Sequence, residues 1–341
     1  MRSYYGFVPL LAALCACSGA SAPPAIDMAP QRFSTSVARE PIASRPDHHR
    51  PWISPELARA TAPVLFVSDP GTADVYIYSL STLKLKGTIT GFDQPQGECS
   101  DNKGNVWVTD TNGQTIYELS HGGQLENALS DSNGYPDACA WDPTTKNLAV
   151  MSLFGVGSSS GNVLIYPKGS GSPTSYANPT QYFYNFGGYD TAGNLYFDGR
   201  DASGTFMLSE LPRGANSAYT IKLSGGTIYF PGMVQWDPSN NNLIVGDQSC
   251  ANNYASCIYQ VTVSQKTGTI KKQIKLQDYA GSQACDLVQG VKYKNQVAGS
   301  DYDFCAHATS ATYLWTYPTG GAPKLYNKTT DVTPVGAAIS I

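Results

Sequence analysis

The sequence contains little charge and little histidine. Asp, Glu, Lys and Arg make up 14% of its 341 residues, the formal net charge is −4, and there are four histidines. Binding to nucleic acid needs an excess of clustered basic residues, and a chain with a net negative charge gives no support for it. Long amphipathic helical patterns are also missing, which argues against an all-helical fold.

Several motifs of enzyme chemistry are absent as well. The chain has no HExxH segment, no phosphate-binding glycine loop and no CxxC pair. The sequence therefore gives no support for a zinc-dependent hydrolase, a nucleotide-binding site or a structural zinc site.

Short apolar runs are the dominant positive signal. The 22 Tyr and many Val, Ile and Leu residues fall in runs bounded by clusters that draw on 33 Gly and 22 Pro, a composition typical of strands and turns. One strongly apolar segment recurs six times, and its copies begin at Leu65, Val106, Leu148, Leu195, Leu243 and Val297. Successive copies start 41, 42, 47, 48 and 54 residues apart, which is the period of propeller blades. We therefore predict an all-β, six-bladed propeller over residues 62–341.

The two ends of this region are predicted to meet in blade one. An innermost strand is missing before Leu65, whereas residues 334–340 line up with 95–101, the predicted inner strand of blade two. We expect the C-terminal strand to complete blade one, because closing the ring in this way removes an exposed sheet edge.

The N-terminus predicts export. Arg2 precedes the apolar run from Phe7 to Leu14, which is too short to span a bilayer. The segment Leu14-Cys15-Ala16-Cys17 resembles a bacterial lipoprotein signal, which implies a signal peptide over 1–17, cleavage before Cys17 and lipidation of that cysteine. Ordinary cleavage after Ala22 would release the protein instead, although Pro23 then follows the scissile bond.

Residues 18–61 are rich in Pro, Ala and Ser, and we expect them to form a disordered tether. Through a lipid at its start, this tether would hold a monomeric propeller at a bacterial envelope, facing the periplasm or the exterior.

Six cysteines follow the signal, and an even number in an exported chain predicts disulfides. Cys250 and Cys257 flank one loop, so a local bond is expected. The inner strands of adjacent blades carry Cys99 and Cys139, which we expect to form the second pair. Two neighbouring loops of blade six carry Cys285 and Cys305, which we expect to form the third. The six residues are Cys99, Cys139, Cys250, Cys257, Cys285 and Cys305.

The blade pattern, Pro-x-Gly followed by Asp-x-x-Gly-Asn-Leu-Tyr-Val-x-Asp, resembles that of NHL-repeat and gluconolactonase-like six-bladed propellers. The resemblance covers all six repeats, but its glycines, asparagines and aspartates mainly form turns. It therefore implies a fold more strongly than a function.

Aligning the inner strands places one residue of each blade in a column at the channel mouth: Gln96, Asp137, Asn185, Gly232, Gln289 and Val335. In gluconolactonase-like proteins this column holds a divalent cation, so the resemblance implies ligand contacts at Gln96, Asp137, Asn185 and Gln289, and calcium or another divalent cation at Asp137 and Asn185. The column departs from the family because Val335 stands where a Glu is expected. Glu98 is a nearby carboxylate, but the alternation of a strand favours its pointing away from the channel.

Two further features bear on function. His307, in a blade-six loop, is with Asp137 a weak candidate for catalysis. The aspartates that follow the second strands at Asp69, Asp110, Asp247 and Asp301 recur too often for a catalytic set, and we expect them to cap turns.

Aromatic residues gather in loops predicted on one face, and their type suits contact with a protein, glycan or small molecule. The favoured function is an envelope-anchored or secreted binding module. The alternative is a lactonase- or lyase-type enzyme with a divalent cation at the channel mouth.

Overall fold

The computed structural model describes residues 52–55, 57, 61–251, 255–301, 310–328 and 332–341. The predicted signal peptide, most of the tether, the lipidation site Cys17, and the residues Cys305 and His307 lie outside these ranges.

Six sheets follow one another along the chain and form the six blades of a propeller. Their strands pair antiparallel, except for one parallel pair at the outer edge of blade five. In each sheet the innermost strand borders the central channel and the strands then follow outwards in order. The all-β, six-bladed architecture predicted from the sequence is confirmed.

The first three blades contain thirteen strands. Blade one is formed by β1 (Trp52–Ile53), β2 (Val64–Asp69), β3 (Asp74–Ser79), β4 (Leu85–Thr90) and β26 (Ala338–Ser340). Blade two is formed by β5 (Pro95–Ser100), β6 (Val106–Asp110), β7 (Thr115–Leu119) and β8 (Leu125–Ser130). Blade three is formed by β9 (Gly134–Trp141), β10 (Leu148–Gly155), β11 (Ser159–Tyr166) and β12 (Thr174–Tyr176).

The other three blades also contain thirteen strands. Blade four is formed by β13 (Phe183–Tyr189), β14 (Leu195–Arg200), β15 (Phe206–Leu211) and β16 (Tyr219–Thr220). Blade five is formed by β17 (Lys222–Ser224), β18 (Val234–Asp237), β19 (Asn242–Cys250), β20 (Ala255–Ser264) and β21 (Thr267–Lys275). Blade six is formed by β22 (Leu287–Tyr293), β23 (Gln296–Asp301), β24 (Ala311–Thr316) and β25 (Leu325–Asn327).

The recurring apolar segments are the second strands of the blades. Every residue of β2, β6 and β14 is buried, because neighbouring blades cover both faces of each sheet. Apolar clusters occupy the seams between blades, as between blades two and three, where Trp107 and Ile116 pack with Val150 and Leu164. Burial on both faces explains why these strands are continuous apolar runs without alternation.

The ring closes in blade one as predicted. Strand β26 pairs antiparallel with β2, and Leu65 lies opposite Ile339. Gln289 of blade six reinforces this seam, because its Oε1 accepts hydrogen bonds from the Glu98 and Ala337 N–H groups at 2.8 and 3.1 Å. Its Nε2 donates to the Glu98 carbonyl at 2.8 Å, so one amide side chain joins blades six, one and two.

Ordered structure begins before residue 62, inside the segment predicted as a tether. Strand β1 pairs with β4, and the side chain of Leu57 is 2% exposed in the core between blades one and two. Because β4 would otherwise be an open outer edge, this short segment shields it.

Two disulfides confirm the predicted local bond and the predicted bond between blades. Cys99 bonds to Cys139 across blades two and three, and Cys250 bonds to Cys257 in blade five. Cys285 is also disulfide-bonded, while its predicted partner lies outside the described residues. Such bonds are typical of proteins that fold outside the cytoplasm. Among the described residues there is no candidate for a membrane-spanning helix.

The repeated aspartates cap turns, as expected. Asp110 accepts hydrogen bonds from the Asp93 and Gln94 N–H groups at 2.9 and 2.6 Å, and Asp247 accepts from Tyr229 and Phe230 at 3.1 and 3.0 Å. In each case a carboxylate from the second strand holds the loop that leads into the inner strand of the same blade. These contacts fix the loops at the upper end of the channel, by which we mean the end where the inner strands begin.

Deleting residues 333–341 removes β26 and leaves β2 with an open inner edge. We expect the truncated chain to aggregate or to lose its single cooperative unfolding transition in circular dichroism. The control removes only Ile341, which is 65% exposed and should unfold like the full chain. A soluble, cooperative 1–332 chain would contradict closure by β26.

Candidate functional site

The predicted column is only partly assembled. Asp137 in β9 and Asn185 in β13 do meet, because Asn185 Nδ2 donates to Asp137 Oδ2 at 3.0 Å. Gln289 uses its amide on backbone groups of two other blades, as described above, and the Gln96 carbonyl accepts a hydrogen bond from the Ser68 hydroxyl. The Gln289 amide is therefore engaged by the backbone, and Asp137 and Asn185 are the two side chains that the column brings into contact.

Asp137 is held firmly in an unfavourable environment for a charge. The hydroxyl of Thr109 in blade two donates to the Asp137 carbonyl at 2.8 Å, which fixes the backbone. Desolvation raises the pKa of the Asp137 carboxyl to about 7, although the hydrogen bond from Asn185 and the nearby positive charge of Arg200 oppose this rise. This buried carboxyl therefore titrates at a much higher pH than an exposed aspartate.

Arg200 is the cation of this site, and sequence analysis missed it. Its guanidinium lies between the rings of Phe183 and Phe230, 4.8 Å from each ring centroid. The side chain is 8% exposed, and burial lowers its pKa while Asp137 and Asp198 raise it. Two cation–π contacts and two acidic neighbours thus keep a charged group at the upper end of the channel.

One signal in the sequence could have revealed this site. At the position where four blades have a capping aspartate, blade four has Gly199 followed by Arg200. A Cβ at Gly199 would lie 1.9 Å from the Phe183 carbonyl, so only glycine allows the two strands to approach there. Blade three also departs from the repeat, with Ser152, but only blade four places a basic residue directly after this position.

Around Arg200 the upper end presents a patch of aromatic and apolar side chains. Tyr229 is 42% exposed and Val156 is 51% exposed, while the Tyr182 hydroxyl donates to the Ser158 carbonyl and joins blades three and four. We call this surface the upper-face patch, and it consists of Val156, Tyr182, Phe183, Arg200, Tyr229 and Phe230.

Other loop aromatics do not belong to this patch. Tyr184 and Phe186 are 0% and 4% exposed and pack in the core, and Tyr189 lies at the opposite end of the channel. The loop residues Tyr254, Tyr302 and Phe304 lie outside the described ranges, as does His307.

The residues at Asp137 do not suit a divalent cation. Calcium takes six to eight oxygen ligands, whereas Asp137 has one amide neighbour and the positive Arg200 beside it. The second carboxylate nearby, Asp198, already accepts hydrogen bonds from the Phe186 and Gly232 N–H groups. Within the described residues, no three His, Cys, Asp or Glu side chains form a group able to hold a metal ion.

The segment Gly157-Ser-Ser-Ser-Gly161 has the GxSxG spelling of a hydrolase nucleophile elbow. It connects β10 to β11 as a hairpin, whereas the elbow requires a strand followed by a helix. This serine run therefore gives no support for a hydrolase.

Replacing Asp137 with Asn should stabilise the protein at alkaline pH. The folded pKa of about 7 lies above the usual 3.8, so the folded state loses stability as pH rises from 4 through 7. Ionisation of this group costs the folded state on the order of 4 kcal/mol at the alkaline limit. We expect D137N to have a higher Tm than the wild type at pH 8 and a smaller decline in Tm between pH 5 and 8.

Asp201→Asn is the matched control. Burial raises the pKa of Asp201, but the hydrogen bonds from Ser203, Gly204 and Thr205 together outweigh burial and lower this pKa, so the ionised form supports the fold. Its removal should give no gain in Tm at pH 8. If Tm declines equally with pH in D137N and in the wild type, the raised pKa assigned to Asp137 is wrong.

Calcium calorimetry on the full chain tests the metal interpretation separately. We expect the wild type to lack a micromolar calcium site that depends on Asp137, because Arg200 repels a cation at this position. Asp137→Ala should therefore give the same titration as the wild type. Micromolar binding lost in that variant would restore the cation site implied by the family resemblance.

Comparison with known proteins supports the fold alone. No protein-family model matches the chain, and no curated protein matches it. The propeller in the crystal structure of a nidogen/laminin complex superposes with a TM-score of 0.63 at 12% identity, over 82% of this chain and 98% of that one. A protein of unknown function from Bacteroides caccae gives a TM-score of 0.61 at 13% identity, over 82% of this chain and 99% of the other. The chain is thus similar to both as a six-bladed propeller.

Proposed function

We propose that this chain is an exported propeller that binds a protein partner through the upper-face patch. The N-terminal signal would place it at a bacterial envelope, held by lipid at Cys17 or released by cleavage after Ala22. The two disulfides support a location outside the cytoplasm.

The observation that carries the proposal is the position of Arg200 between Phe183 and Phe230. Arginine and aromatic residues contribute much of the affinity in protein interfaces, above all where a rim of neighbouring side chains excludes water. Arg200 is itself 8% exposed and holds the rings of Phe183 and Phe230 in place before any partner arrives, so binding through these rings would cost little side-chain entropy.

The surroundings of the cluster fit a protein better than a nucleic acid or a charged small molecule. Exposed apolar groups at Tyr229 and Val156 border it, and the positive charge of Arg200 is opposed by Asp137 and Asp198. A patch with little net charge and several exposed apolar side chains favours a partner of the same mixed character. A propeller of this architecture is known in complex with a protein, laminin, in the nidogen/laminin structure.

The enzyme alternative has less support. It depends on a divalent cation at Asp137 and Asn185, where the donor set is too small and Arg200 is adjacent.

Site-specific photocrosslinking tests the binding proposal. A benzophenone amino acid is placed at position 229 or 156 of the full chain, expressed in its native host and irradiated on intact cells. We expect one discrete protein adduct, identical for both positions by mass spectrometry. The purified partner should then bind the wild type at least tenfold more tightly than Tyr229→Ser.

Position 125 provides the control, because Leu125 is 63% exposed on the outer strand of blade two, away from the patch. Probes there should give no such adduct. If positions 125 and 229 crosslink equally, or if none of the three positions forms an adduct, the upper-face patch is not a protein-binding surface.

A further inference from the structure

The strand that closes the ring is short and depends on contacts from blade two. Strand β26 pairs with β2 over three residues, Val64 to Phe66. Beyond this ladder, the Ser100 hydroxyl of blade two donates to the Ile339 carbonyl at 2.5 Å. Because so short a strand forms few ladder bonds, each side-chain contact at its end matters to the closure.

Ser340, in the same strand, forms a second contact with blade two. Its side chain is fully buried, and its hydroxyl donates to the Gly104 carbonyl. Nδ1 of His121, in the turn between β7 and β8, lies 2.7 Å from the same hydroxyl oxygen. Two segments of blade two thus meet the closing strand at one atom.

The single proton of the Ser340 hydroxyl determines the state of the imidazole. Because Ser340 gives that proton to Gly104, its oxygen can only accept from His121, so Nδ1 carries the ring proton. Nε2 of the neutral ring is then unprotonated, and it is buried without a hydrogen-bond partner among the described residues. A second proton on the ring would therefore enter a place that has no acceptor for it, which is costly.

The turn that carries His121 is held by apolar packing against blade one. A Cβ at Gly123 would lie 2.8, 3.0 and 3.2 Å from the terminal carbons of Ile77, Ile53 and Ile89. The turn therefore has little room to move. A protonated Nε2 can reach water only if the imidazole rotates about its side-chain bonds, and this rotation separates Nδ1 from Ser340.

None of the charged groups on the neighbouring elements bonds to Nε2. Asp101 accepts from the Lys103 and Asn105 N–H groups at 2.7 and 2.9 Å, and Glu118 accepts from Asn105 Nδ2 at 2.7 Å. Burial lowers the pKa of His121 below the usual 6.5. The charged groups on these elements are Lys86, Asp101, Lys103, Glu118, Glu126 and the carboxylate of Ile341.

We propose that His121 is an acid-sensitive clasp on the ring closure: protonation of its imidazole releases Ser340 and loosens β26 from blade two. The folded state has the full benefit of the clasp above the ordinary pKa of histidine. It loses this benefit as the pH falls below 6.5 towards the lowered pKa of the folded protein. Acid would then expose the inner edge of β2, where the two ends of the folded region meet.

Hydrogen exchange followed by mass spectrometry tests the clasp on the full chain at pH 7.5 and 5.0, with rates corrected for their intrinsic pH dependence. We expect the peptide containing residues 338–340 to lose protection about tenfold at pH 5.0, because each unit by which the pKa is lowered corresponds to a factor of about ten. His121→Asn should keep its protection, since the asparagine Nδ2 can donate to Ser340 and does not titrate. Ser340→Ala should give low protection at both pH values.

Peptides from β14 in blade four are the internal control and should respond to pH equally in all three proteins. NMR titration of the imidazole reads His121 directly, with its signal assigned by comparison with His121→Asn. We expect the Nδ1–H tautomer at pH 7.5 and a titration midpoint below 6.5.

If His121→Asn does not fold, the titration of the wild type decides the question, with the His121 signal assigned through its contact with Ser340. The Nε2–H tautomer or a midpoint at or above 6.5 would overturn the proposal. An equal loss of protection at residues 338–340 in the wild type and His121→Asn would overturn it as well.

Discussion

Contact between the faces of adjacent blades is the interaction on which this structure depends. A single blade has two apolar faces and cannot bury either of them alone, so each sheet is stable only between two others. Strand β2 is completely buried for this reason, although it lies in the first blade of the chain. Its burial is complete only when β26 pairs along its inner edge and blade six packs behind it.

This constraint also explains how far the sequence could predict the fold. A strand buried on both sides becomes an apolar run, and six such runs at blade spacing identify six blades without further information. The missing inner strand before Leu65 then locates the closure. The pairing of Trp52 and Ile53 with β4 could not be predicted, because a two-residue strand has no periodicity.

The site was less predictable, for reasons that particular residues make clear. Aligned inner strands brought Asp137 next to Asn185, which the structure shows in contact. The alignment could not tell that the Gln289 amide is used by the backbones of blades one and two. Arg200 differs again, since it belongs to a second strand whose equivalents end in capping aspartates. Contacts between blades decide the roles of Gln289 and Arg200, and a pattern within one repeat does not contain them.

The pairing of Phe66 with Ala338 joins segments from opposite ends of the folded region, and this has a consequence for how the protein folds. Contacts of such long range form slowly, because the chain loses much loop entropy before the contact stabilises anything. We therefore expect blade one to keep an open inner edge until the C-terminal strand pairs with β2. Such an edge is a template for pairing with another chain, so aggregation should threaten the folding chain more than the finished ring.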